Sequence, residues 1–318
     1  MIIDAHVCVP LLESTDLNIL RRHQESGYNH IFLNIGMDMY SFDHVLNIAL
    51  SFREQIVAND FMLMADSFHD IKYAVNNRMM AVSFDLEGAS PLGFRHPDFT
   101  KVEQLYSLGL RQLALSYNRN NNYCGGCQDS VKRLQPQGIE LISCLQNIGI
   151  AVDCSHASHA SALDIINHCL KPVLFSHSNS HFVLQHPRNI TDPIVKVCAD
   201  NGGIVGVNGL QSFIGKDGSV DNMVDHIAHL VNVAGISSVA IGLDYGYLQD
   251  VDDLPIGTDT DYWWPKTESY TNPFDHEVIA PVQIQSIKEK LVSAGFSSSE
   301  VNQITGLNHF NFIKEVCK

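Results

Sequence analysis

The sequence predicts an α/β fold, a (β/α)8 (TIM) barrel in one domain over residues 1–318, with a helical extension at its C-terminal end. Three observations lead there. Eight short runs rich in apolar and β-branched residues recur along the chain, each nearly continuous in apolar character, as strands buried on both faces are. Amphipathic segments with polar starts and glycine ends separate them, and this alternation is that of a parallel α/β architecture. Each run also ends on a polar or reactive side chain: His6, Asn34, Glu87, Tyr117, His156, His177, Asn208 and Asp244. In a (β/α)8 barrel such positions face the mouth where active sites are built. A doubly wound open sheet is the alternative, and the absence of GxGxxG after the first run disfavours it.

In chain order, the first run is IIDAHV (2–7), followed by TDLNILRRHQESG (15–27), a helix pattern with a Thr/Asp start and a Gly end. The second and third runs are HIFLNIG (30–36) and AVSFDLEG (81–88). FTKVEQLYSLGL (99–110) is the helix before RQLALSYN (111–118), and QGIELISCLQNIG (137–149) the helix before GIAVDCSH (149–156). ASALDIINHCLK (160–171) leads to KPVLFSHS (171–178), and TDPIVKVCADNGG (191–203) to GGIVGVNG (202–209). DNMVDHIAHLVNVAG (221–235) precedes the eighth run, SVAIGLDYG (238–246). A long loop from Gln249 to Pro281 follows, rich in Asp, Thr, Trp and Tyr. Within it Tyr262, Trp263 and Trp264 suit either a cap over the site or the contact of a homodimer.

Composition excludes several function classes. A chain of 318 residues with 45% hydrophobic content builds a large core, and 17% charged residues without low-complexity tracts argue against disorder. The net charge of −15 disfavours nucleic acid and anionic membrane as partners. No apolar stretch has the length of a membrane span, and the first residues lack the features of a secretory signal, so a soluble cytoplasmic protein is expected. Eight cysteines scattered over the chain suit reduced, buried thiols. Cys124 and Cys127 form the one close pair, after the polar stretch NRNNNY. Without a second CxxC they read as structural, with redox or zinc chemistry as the alternative.

The ionisable strand ends carry the chemistry. His6, His156 and His177 with Glu87 and Asp244 form a set that suits zinc and its first-row neighbours. Buried together without a cation they would be costly. One carboxylate can bridge two metals, and another, left unligated, can move a proton from water to a leaving amine. Cys8 lies two residues after His6, on the same face of a strand, as a further ligand type or a plain buried thiol. Tyr117 is either a donor to a developing oxyanion or an aromatic of the barrel rim. Arg188, in HPRNITD, is either a clamp for a substrate carboxylate or a surface ion pair.

The segments DAHVCVP, DLEG, LALSYNRNN, VDCSHAS, LFSHSNSHFVLQHPRNITD, NGGIVGVN and IGLDYG, with the tail ITGLNHFNFIKEV, resemble the membrane (renal) dipeptidase family of zinc peptidases in the amidohydrolase superfamily. The resemblance implies a (β/α)8 barrel that hydrolyses dipeptides, often with a D-residue at the C-terminal position, at a binuclear zinc centre. By matching motif, His6 is implied as a ligand of the first metal, Glu87 as the bridge, and His156 and His177 as ligands of the second. Arg188 is implied as the contact to the substrate carboxylate and Asp244 as the general acid/base. Two positions depart from the family pattern. Its His-x-Asp is here His6-Val7-Cys8, and its Leu-Thr-His-Asn is Leu115-Ser116-Tyr117-Asn118. The expected centre therefore holds one or two zinc ions or another divalent metal, with Cys8 either an unusual ligand or a plain thiol that leaves the first position weak or empty, and with Tyr117 where the family's histidine meets substrate. The expected partner is a small dipeptide-like molecule. A specialised amidohydrolase or a small-molecule-binding relative without efficient chemistry are the alternatives.

Overall fold

The computed structural model describes residues 1–215, 217–248, 250–266 and 278–317. Its centre is an all-parallel sheet, with strands β1 (Ile3–Cys8), β2 (His30–Met37), β3 (Met62–Met64), β4 (Met80–Glu87) and β5 (Leu110–Ala114) in its first half. The second half contains β6 (Ala151–Asp153), β7 (Leu174–Phe175), β8 (Ile204–Val207), β9 (Val239–Ile241) and β10 (Tyr245–Gly246). The order β10-β1-β2-β4-β5-β6-β7-β8-β9 closes on itself, because β9 and β10 are two halves of one run. Val239 pairs with Val205 on one side, and Tyr245 pairs with Val7 on the other. Sheet closure removes free edges and aligns all C-terminal strand ends at one mouth.

The eight runs read from sequence correspond to β1, β2, β4 to β8 and the broken β9/β10. β3 is additional: it lies off the main order and pairs only with Met80–Val82 of β4. Three residues inside FMLMA are too few for periodicity to mark as a strand. β6 and β7 are shorter than their runs, so His156 and His177 sit past the ladder. Asp153 is the cause. Its Oδ1 accepts the backbone N–H of Ser155 at 2.8 Å and of Ser176 at 3.0 Å, replacing ladder bonds with side-chain bonds. Gly206 and Gly242 let neighbouring strands close on the same place. A Cβ at either would come within 2.0 or 1.9 Å of the Ser176 carbonyl oxygen.

Helices cover the outside. The longest of those described is α2 (Phe42–Val57), capped by Ser41 Oγ, which accepts the His44 N–H. The first predicted helix is instead a 3₁₀ turn, Leu17–Leu20, leading into the short α1 (Arg21–Glu25), with Asp16 as cap. The later helices fall where the sequence puts them, from α3 (Phe99–Leu108) through α4 (Pro136–Ile148) to α5 (Val220–Ala234). α3 ends on Gly109 at φ 117° and α4 on Gly149 at φ 98°, left-handed positions that favour glycine. The C-terminal extension is α6 (Ile284–Ser293), α7 (Ser298–Asn302), a π turn and α8 (Asn308–Val316). Phe312, Ile313 and Val316 of α8 pack with Ile3, Phe32, Ala81, Ala151, Leu174, Ile204 and Ala240. These are residues of the strand starts, so α8 plugs the bottom of the barrel. No described helix is long and apolar enough to cross a membrane.

Candidate metal centre and active site

Three neighbouring strands supply the floor of the mouth. His6 and Cys8 alternate on β1, Asp85 and Glu87 on β4, and Asn34 lies between them on β2, so period two aims all five at the barrel interior. His6 Nδ1 lies 3.0 Å from Asp85 Oδ2, and its Nε2 lies 3.2 Å from Cys8 Sγ. Asn34 Nδ2 donates to Asp85 Oδ1 and Glu87 Oε2, each at 3.1 Å. The two oxygens of Glu87 face different groups. Oε2 is 3.5 Å from His6 Nε2, whereas Oε1 is 2.8 Å from His156 Nε2 and 3.3 Å from His177 Nε2.

The hydrogen-bond network assigns the imidazole protons. Asn118 Nδ2 donates to the Trp263 carbonyl, so its Oδ1 accepts from His156 Nδ1–H at 2.8 Å. Ser176 Oγ donates to the Asp153 carboxylate and therefore accepts from His177 Nδ1–H at 2.7 Å. Each ring is left with a lone pair on Nε2, and these two nitrogens face one another at 2.8 Å beside a carboxylate oxygen. Lone pairs so placed repel, and a cation between them converts the repulsion into ligation. Nδ1 held by a hydrogen-bond partner is also the usual arrangement behind a metal-bound histidine. Glu87, His156 and His177 thus fit a divalent metal, and His6, Cys8 and Glu87 form a second group whose donor atoms lie within 4.8 Å of one another.

The electrostatics agree. Burial, reinforced by Arg188 and His6, holds His156 and His177 well below the ordinary imidazole pKa, so both rings are neutral. His6 goes the other way. Burial opposes its charged form, but Asp85, Cys8 and Glu87 outweigh burial and raise its pKa. A proton on its Nε2 then compensates the carboxylates as a cation would. Burial pushes the Glu87 carboxyl up to about 8 against the pull of His6. A cation at these donors reverses that push.

The other expected residues surround this cluster. Asp244 Oδ1 is 3.6 Å from His6 Nε2, and its Oδ2 accepts from Asn208 Nδ2 at 2.8 Å. Arg188 is buried rather than paired at the surface. Its Nη2 donates to the His177 carbonyl at 3.2 Å and lies 3.3 Å from His156 Nε2. Tyr117 stacks on the His156 ring at 4.4 Å, and its hydroxyl accepts the Trp264 indole N–H at 2.9 Å. Asp244, Arg188, Tyr117, Glu87 and His156 line one cavity of about 390 Å³, with Cys8, Met37, Leu210, Phe213, Trp264 and Val278 among its walls. Four of the five non-glycine residues with positive φ among those described, Asn118, His156, Asp244 and Leu248, line it too. Such backbone outliers concentrate where the surrounding structure holds functional groups in place.

Sequence reading missed the supports behind the ligands: Asp85, Asn118, Asp153 and Ser176. Only Asp85 carried a signal, two residues before Glu87 on the same strand face. The Tyr262–Trp264 segment belongs to this site as a cap. Trp264 bonds Tyr117, Trp263 accepts from Asn118, and the Tyr262 carbonyl accepts from Arg119 Nε. Part of its loop, 267–277, lies outside the described residues. Cys124 and Cys127 are free thiols that turn to different partners, Ser116 Oγ and Asn118 Oδ1, and burial raises them to about 12 and about 11. They brace the loop that carries Asn118, and among the described residues neither belongs to a group of donors close enough to hold a metal.

Comparison with known proteins follows the same outline. The family model for membrane dipeptidase (peptidase family M19) matches residues 16–256. An uncharacterized dipeptidase of Schizosaccharomyces pombe is 35% identical over 181 residues, which cover 54% of this chain and 42% of that protein. A dipeptidase of Claviceps purpurea is 26% identical over 268 residues, covering 81% of this chain and 56% of that protein. The chain thus spans about half the length of these curated relatives. Among solved structures, an amidohydrolase from Pseudomonas aeruginosa superposes with a TM-score of 0.87 at 21% identity, covering 100% of this chain and 96% of that one. A metallopeptidase from Rhodobacter sphaeroides, solved with a phosphinate mimic of the dipeptide L-Ala-D-Ala, superposes with a TM-score of 0.78 at 18% identity over 99% of both chains. These likenesses show the fold.

Proposed function

The chain belongs to the membrane dipeptidase family, and from that premise we propose that it is a zinc-dependent hydrolase that cleaves the amide bond of a dipeptide or a dipeptide-like amide. The observation that carries this reading is the meeting of His156 Nε2, His177 Nε2 and Glu87 Oε1 beside the buried Arg188 guanidinium in one cavity. A divalent metal at those donors supplies Lewis acidity and lowers the pKa of water. The chain's own groups do the rest. Arg188 has only donors to offer and is buried, so it selects a carboxylate and fixes the substrate's C-terminal end. Asp244 is tied on one oxygen to Asn208, which leaves Oδ1 on the side of the cluster. There it takes a proton from the attacking water and returns it to the departing amine nitrogen. The Tyr117 hydroxyl is the group placed to donate to the oxygen that gains charge.

A second reading, hydrolysis of another small amide, draws support from Tyr117. The family histidine is replaced there, and the phenol is bonded to Trp264, so the substrate wall differs from the family pattern. One assay separates the two. The purified protein is offered dipeptides with L- and D-residues at the C-terminal position, the first being L-Ala-D-Ala, followed by N-acylated amino acids. Dipeptide cleavage that a chelator abolishes is expected. Asp244→Asn should then lower kcat by at least roughly 100-fold with metal content unchanged. Turnover of N-acyl compounds alone selects the second reading. No turnover of either class, in a protein that binds no divalent metal, overturns both.

A further inference from the structure

The geometry points to Cys8 as a thiolate ligand at the second metal position, beside His6 and Glu87 and in the place where the family pattern has an aspartate, and this sulfur selects a thiophilic cation such as zinc, cadmium or cobalt. This rests on the reading above, because Glu87 is shared between the two positions. Cys8 closes β1 two residues after His6, so both side chains leave the strand on the cavity side. Its Sγ is 3.2 Å from His6 Nε2, and Glu87 Oε2 is 3.5 Å from the same nitrogen. Donors held by a tetrahedral zinc, at about 2.0–2.1 Å for nitrogen and oxygen and about 2.3 Å for sulfur, are about 3.3–3.4 Å apart for a nitrogen–oxygen pair and about 3.6 Å for a nitrogen–sulfur pair. The His6–Glu87 spacing is close to its edge, and the His6–Cys8 spacing is shorter than its edge by about 0.4 Å, which a small outward turn of the thiol makes up.

The donors are also aimed. Asp85 holds His6 by Nδ1, and Asn34 holds Glu87 by Oε2. An inert thiol is most at home among apolar side chains. Cys8 instead faces the His6 imidazole nitrogen and the Glu87 carboxylate. The family pattern has an aspartate where this chain has Cys8, so the sulfur is what is particular to this chain. The consequence is an unequal pair: Glu87, His156 and His177 offer nitrogen and oxygen, while His6, Cys8 and Glu87 add sulfur. Sulfur favours soft cations over manganese or magnesium, which prefer oxygen.

The test uses cobalt(II) as the probe on the chelator-stripped protein. Two equivalents should bind, one of them with a near-ultraviolet thiolate-to-cobalt charge-transfer band. Cys8→Ser, with an unchanged circular dichroism spectrum, should abolish that band. Cys8→Asp should keep the second equivalent without the band and lower the preference for cadmium over manganese by at least about tenfold. Two equivalents without the band, or a band that survives Cys8→Ser, overturns the proposal. One equivalent without the band also overturns it and leaves the Glu87–His156–His177 reading standing. No binding at all overturns that reading as well.

Discussion

At the scale of single residues, the centre depends on partners that never touch the cavity. His177 is aimed by Ser176, and Ser176 by Asp153, whose other oxygen holds two backbone N–H groups. Ser176→Ala would free Nδ1, allow the other tautomer and let the ring turn. Supports of this kind contribute roughly 10–100-fold to metal affinity. Ser176→Ala should therefore lose zinc in that range against a competing chelator while its circular dichroism spectrum stays unchanged, and an unaltered affinity would show that packing alone orients the ring. The strand-end side chains were legible in the sequence because each ends its own apolar run. Their supports were not. Ser176 and Asp153 are 23 residues apart, and nothing local pairs them.

At the scale of elements, the loop after β5 and the 260–264 turn are fastened residue to residue: Tyr117 to Trp264, Asn118 to Trp263 and Arg119 to Tyr262. Asn118 serves two masters, since the amide that holds Trp263 also holds His156. The cap and the metal ligand are thereby coupled. The hydrogen bond from Trp264 to Tyr117 should contribute about 0.5–1.5 kcal/mol, a two- to tenfold effect on kcat/KM. If Trp264 acts through that hydroxyl, Trp264→Phe in a Tyr117→Phe background changes kcat/KM no further, as coupled pairs behave in a double-mutant cycle. Additive losses would instead make Trp264 a wall contact. The sequence marked the aromatic segment but left its role open between cap and subunit contact, because its bonding partners lie more than 140 residues away in the chain.

At the scale of the whole molecule, the barrel has a reactive top and a sealed bottom. His30 and His309 are buried in that seal, with His309 stacked on Phe32 at 5.1 Å. Burial pushes both down to about 3, and His309 adds to the effect on His30. Their unfolded pKa is about 6.5. Above that value both states hold them neutral. Below it the unfolded chain takes up protons that the folded one refuses, so stability falls as pH drops from about 6.5 towards 3. Each group contributes about 2 kcal/mol of loss by pH 5, at about 1.4 kcal/mol per unit. Urea denaturation at pH 7 and pH 5 should show His309→Phe losing less stability on acidification than the parent. Equal losses would remove these histidines from the acid response.

The sequence by itself determined the alternation of strand and helix, the helix ends at Gly109 and Gly149, and the identity of the side chains at the barrel mouth. These follow from local patterns of apolar residues, caps and left-handed glycines, which need no distant partner. Only the tertiary structure decided that Tyr245–Gly246 closes the barrel on β1 and that Met62–Met64 adds a strand. It alone decided that Glu87 turns one oxygen to His6 and the other to His156 and His177. It also brought Arg188 into the interior beside them. Those outcomes depend on which segments share a buried space and on which lone pairs then face each other, and distance along the chain carries no record of either.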